Sequence, residues 1–218
     1  MQPTPSAVFL ESPATRLIDL AIRAREGGRD GSSLDDEIRR YNRVVRNSWR
    51  ADWNCPPYTA AAMLDLIAVV VATPGPLVPL PASFEEKLAR AADGMDQAEY
   101  LHALAEMVRI LDREQPAAYD ELAMAAWELS LLFPHLNGFS AELDDGGHPS
   151  FAAAVASGVL NEHPYCVEPA VPYTTEAQLG LTLFPDEHSL GRYVPWATRD
   201  RLRELLDVVN DHMQREHS

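Results

Sequence analysis

The sequence predicts a mainly α-helical, single-domain protein: a bundle of about seven helices spanning residues 1–218, with one long irregular Pro/Gly-rich lobe or lid at about 134–197. Two observations carry this expectation. Apolar residues recur at helical spacing along most of the chain, and capping residues with nearby prolines punctuate it where helices should start and stop. Regularly spaced strand-like runs are missing, which argues against a sheet-based fold.

The elements follow in order. Ser12-Pro13 reads as an N-cap with proline at the first helical position, and Gly27-Gly28 as a stop, so residues 13–26 form the first helix. Leu17, Leu20, Ala21 and Ala24 are its apolar stripe. Ser33 caps a second helix over 34–50, with Asp36 in the capping-box place. Cys55-Pro56-Pro57 separates it from a third, nearly all-apolar helix over 57–72, and the prolines of 73–81 make an extended connector. Ser83 with Glu86 predicts a helix over 84–93, and Asp96 with Glu99 another over 97–114, with Leu101, Leu104, Val108 and Leu111 on one face. Pro116 opens a sixth over 117–133, closed by Pro134 and paired with its predecessor as an antiparallel hairpin. Past Pro134 only 150–158 reads as helix, and the threonines and alternation of 171–184 predict a short β-hairpin. Thr198 caps the last helix, 199–215, with Leu202, Leu205, Val209 and Met213 facing the core.

Composition limits the function classes. The chain is 46% hydrophobic and 23% charged, which suits a globular protein with a sizeable core. The first sixteen residues lack the basic and apolar regions of a signal peptide. The longest apolar run, about 58–72, is interrupted by Asp65 and falls short of the ~20 residues of a membrane span. Two cysteines cannot make a disulfide framework. A cytoplasmic protein without a membrane partner is the expectation. Arginine supplies nearly all the basic charge, Lys87 being the one lysine, which points to a GC-rich bacterial genome. Net charge is −15 and uneven: +2 over residues 1–50, −12 over 51–150 and −5 over 151–218. Such a chain repels phosphate backbones; the plainer reading of the charge is solubility, and the other is steering of basic protein partners.

No phosphate loop, dinucleotide fingerprint, nucleophile elbow, zinc-protease motif or C-x-x-C occurs in the sequence. What remains are clusters. Four of the seven histidines fall within 135–188. There His148, His163 and Cys166 carry the donors zinc prefers, and His163 and Cys166 are close enough for one loop to present both. Glu162 or Asp145 would serve as general base on a metal-bound water; without metal, His163 would be the base and Cys166 the nucleophile. The plainer reading makes the same stretch an acidic turn, two chain reversals and a buried thiol. Asp65, inside an apolar helix, is a third candidate catalytic carboxylate unless it lies on a solvated face or pairs with an arginine of the second helix. Glu99-x-x-His102 resembles half of a di-iron ligand set but has no second copy, so a surface pair is favoured.

The second helix places Arg39, Arg43, Arg46 and Arg50 on a basic stripe, next to an apolar stripe ending at Trp49, with Trp53 just beyond. Arginine with tryptophan is the composition of binding hot spots. Pairing with the chain's own acidic middle, or plain solvation, is the favoured reading of that stripe. The leading functional expectation is an acidic helical binding protein (an adaptor, inhibitor or immunity/antitoxin-like protein). The runner-up is a metal-dependent hydrolase-like enzyme with its site in 142–188, zinc being the cofactor. Nucleic-acid binding through the arginine stripe ranks last.

Overall fold

The computed structural model describes residues 9–27, 32–50, 53, 55–73, 75, 79–144, 147–161, 163–186 and 190–217. It contains ten α-helices among these residues and no strand. The chain forms two compact units, Met1–Leu122 and Ala123–Ser218.

The first unit holds α1 (Pro13–Arg25), α2 (Leu34–Asn47), α3 (Pro57–Ala72), α4 (Ala82–Ala92) and α5 (Gln97–Asp112). Three starts follow from local chemistry. The Ser12 hydroxyl accepts from Thr15 N–H, Ser33 and Asp36 close a reciprocal capping box, and Asp96 accepts from Ala98 and Glu99. These bonds satisfy donors that a helix start leaves without partners. α4 departs from the expectation: it begins at Ala82 after Pro81, with no side-chain cap, and ends at Asp93 and Gly94, both in left-handed backbone. The core runs along Leu17 and Ile18 of α1, Ile38, Tyr41 and Val44 of α2, Leu64 and Ile67 of α3, and Leu101 and Val108 of α5. α3 packs most closely on α5. It is apolar on nearly every side, so Tyr58, Leu66 and Val69 remain exposed on its outer face.

The helix expected at 117–133 is much shorter. Residues 113–125 form turns, and α6 covers only Ala126–Leu132. The cause is Arg43, which is buried and donates to the carbonyls of Ala117 (3.0 Å) and Leu122 (2.9 Å) while lying over the Tyr119 ring at 3.9 Å. Those carbonyls face a guanidinium, so the segment wraps around the arginine and the expected helical hairpin does not form.

The second unit holds α6, α7 (Pro134–Asp144), α8 (Phe151–Val159), α9 (Val167–Leu183) and α10 (Arg199–Glu216). The irregular segment expected at 134–197 is therefore mostly helical. Pro134 both follows α6 and opens α7, since proline is tolerated in a first turn. The β-hairpin expected at 171–184 is part of α9. Its threonines do not enforce a strand: the hydroxyls of Thr174, Thr175 and Thr182 bond back to carbonyls of the preceding turn at 2.8–3.0 Å. Burial of Ala170, Ala177 and Gly180 then decides the outcome over strand propensity. Gly180 lets α9 come close to its neighbours, because a Cβ there would stand 2.8 Å from Leu190 and 3.2 Å from Leu202.

Candidate metal centre

The second unit brings four metal-ligating side chains together. Cys166 is fully buried at the start of α9, and His163 lies in the turn that leads into it. The other two come from the far end of α10. Leu202, Leu205 and Val209 are the buried stripe of that helix, and His212 takes the next position on the same face. His217 follows the last helical residue.

Cys166 Sγ is 3.0 Å from His217 Nε2, 3.2 Å from His212 Nε2 and 3.8 Å from His163 Nδ1. The ring centroids of His163 and His217 are 4.9 Å apart, and all four ligand atoms lie within 4.8 Å of one another. Tetrahedral zinc, with bonds of about 2.0–2.3 Å, needs neighbouring donors roughly 3.3–3.6 Å apart, so small side-chain adjustments suffice to enclose an ion. The sulfur sits at the buried end, His212 is half-buried, and His163 and His217 face solvent. The group contains one thiol, three imidazoles and no carboxylate, a donor set suited to zinc and other borderline or soft cations rather than to magnesium or calcium.

His148 is not part of this group. It lines a cavity of about 510 Å³ with Ser150, Phe151, Trp196, Thr198 and Arg201, and the Arg201 guanidinium lies 4.6 Å from the Phe151 ring centroid. Asp145, Glu162 and His188 lie outside the described residues. His212 and His217 were missed in the sequence because they are distant from His163 and Cys166. The available signal was the apolar stripe of α10, whose half-buried continuation includes His212 as well as Met213.

A second polar cluster in this unit was also missed. Glu176 of α9 is completely buried. It accepts from the backbone N–H groups of His135 (3.0 Å) and Leu136 (2.9 Å), which open α7, and lies 2.6 Å from His135 Nδ1. Burial raises its pKa above the usual carboxylate value, against the opposing bonds from Leu136 and His135.

The candidates of the first unit are engaged within it. Arg39 pairs with Glu114, Arg46 pairs with Asp112 at 3.0 Å, and Arg43 holds the carbonyls described above. Trp53 is buried against Tyr41, with the Arg16 guanidinium 4.4 Å from its ring, whereas Trp49 is 40% exposed. Arg50 donates its backbone N–H to Ser48. Asp65 pairs with Arg109 and lies 2.7 Å from His102 Nδ1. Burial acts to raise its pKa, but the bonds from Arg109 and His102 together outweigh it and leave the carboxyl below its usual value.

No family model, no curated protein and no solved structure matches the chain.

Proposed function

We propose that the chain is a metal-binding helical protein in which His163, Cys166, His212 and His217 hold one zinc-class cation. One observation carries this reading: ligand atoms from two remote segments converge within 4.8 Å with a donor set that matches a tetrahedral cation. On binding, the thiol gives its proton to solvent and the imidazoles coordinate as neutral groups. Four protein donors fill a tetrahedral shell, which supports holding a metal over hydrolysis at a metal-bound water. Free Cys55 and Cys166 suit a reducing, cytoplasmic compartment.

The test is elemental analysis of untagged protein beside a Cys166→Ala/His212→Ala variant. About one equivalent of zinc per chain, lost in the variant, is expected. Cobalt substitution should give the intense visible bands of a tetrahedral site with a thiolate ligand. A parent protein that takes up neither metal would end this reading.

A protein partner is the second reading, supported by the exposed apolar stripe Tyr58, Leu66 and Val69 on α3. A basic partner, in the manner of an adaptor or inhibitor target, suits the net charge of −15. Among the described residues no helix is long and apolar enough to cross a membrane. A partner identified by crosslinking should be lost with Leu66→Glu/Val69→Glu and kept with Cys166→Ala; the reverse pattern would move the interface to the second unit.

A further inference from the structure

We infer that occupancy of the His163/Cys166/His212/His217 centre orders the last two turns of α10, making residues 210–217 a metal-controlled segment; this rests on the metal-binding reading above. Three observations lead there.

The first is where burial stops. The buried residues of α10 are Leu202, Leu205 and Val209. From Asn210 to His217 none is buried: His212 and Met213 are half-buried and the others exposed. Helices in water draw most of their stability from an apolar face packed on a core, and a short exposed end frays. The hydrophobic anchor of α10 thus ends two turns before the helix does.

The second is what holds the exposed end. Its ring and sulfur contacts to another segment run to His163 and Cys166, while among the described residues its other polar bonds stay local, such as Arg215 to the carbonyl of Asp211 and His217 N–H to that of Met213. Imidazole–imidazole and imidazole–thiol contacts at a partly exposed site are weak. Bonds to a cation are not, and they form only with the folded geometry.

The third is the spacing of the two ligands on α10. Residues five apart on a continuous α-helix point about 140° away from each other. His212 and His217 reach one sulfur because the helix stops at Glu216 and His217 leaves helical geometry, with φ −128° and ψ 13°. Coordination therefore selects both a helical position for His212 and a non-helical one for His217. The ion fixes the terminus of the helix as well as its docking on the 163–166 turn.

Hydrogen exchange of the untagged full chain, read by mass spectrometry with and without one equivalent of zinc, tests this. Amides in 210–217 should gain at least about tenfold protection with zinc, while those of 202–209 change little. His217→Ala should still take up zinc through the other three ligands, more weakly, and lose most of the protection at 213–217. Zinc bound by the parent with unchanged exchange at 210–217 would overturn the inference and leave the metal-binding reading standing. His217→Ala protected as fully as the parent would overturn it too. Failure of the parent to bind zinc would remove both.

Discussion

Each unit contains a carboxylate paired with a histidine at nearly the same distance, and the two respond in opposite ways. Asp65 and His102 are 2.7 Å apart, Glu176 and His135 2.6 Å. Asp65 has its pKa lowered and Glu176 has its pKa raised. Pair distance does not decide the direction. The Asp65 side chain is 32% exposed and has the Arg109 guanidinium beside it, so burial is outweighed. Glu176 is 0% exposed and, among the described residues, receives N–H groups and an imidazole rather than a guanidinium, so loss of water dominates. A surface carboxylate that ties two helices together is a modest stabiliser. A buried one that supplies bonds to the start of another helix is a structural necessity with an electrostatic cost.

The comparison can be broken most severely at Glu176. Glu176→Ala leaves the N–H groups of His135 and Leu136 without their acceptor, and should cost about 3 kcal/mol of unfolding free energy in urea titrations. Glu176→Gln sharpens the comparison through pH. A carboxyl with a raised folded pKa contributes stability that is fully present below its unfolded value, about 4.3, and is lost as pH rises through the folded value. The parent's stability relative to Glu176→Gln should therefore decline as pH rises above about 4.3, measured by urea midpoints. Next comes Arg109→Ala, which should destabilise by roughly 1 kcal/mol and remove the lowering of the Asp65 pKa, as carboxyl NMR titration would show. Asp65→Asn should have the smallest effect, about 0.5 kcal/mol near neutrality. That contribution is present above the unfolded value, about 3.9, and vanishes as pH falls through the lower folded value, the mirror image of Glu176.

The cap-and-stripe pattern was legible because it is local. Ser12, Ser33, Asp96 and Thr198 each bond to an N–H two or three residues on, and the starts they mark are at the expected places. Long-range features were not legible. Nothing within 117–133 reveals that Arg43, some seventy-five positions earlier, draws its carbonyls away from a helix. Nothing in 171–184 reveals that Glu176 and Gly180 are needed on the inner face of α9. Half of the candidate centre could be read, because His163 and Cys166 share a loop. Their companions on α10 required the tertiary fold, and His148, equally plausible by residue type, belongs to a different cavity wall. Likewise the regular arginine spacing on α2 was visible, but not that the guanidinium groups of Arg39, Arg43 and Arg46 would be engaged within their own unit.

The arrangement of the four ligands has a thermodynamic consequence. His163 with Cys166, and His212 with His217, are two short chelating arms; Cys166 and His212 are 46 positions apart in sequence. Either arm alone is a weak bidentate ligand. Folding of the intervening α9–α10 segment raises the local concentration of one arm at the other, and the apparent metal affinity is scaled by how completely that segment is folded. A substitution deep in the α9–α10 contact, such as Gly180→Ala, touches no ligand yet would weaken metal retention. A colorimetric competition for the ion would then serve as a gauge of folding for the whole segment, readable across many variants.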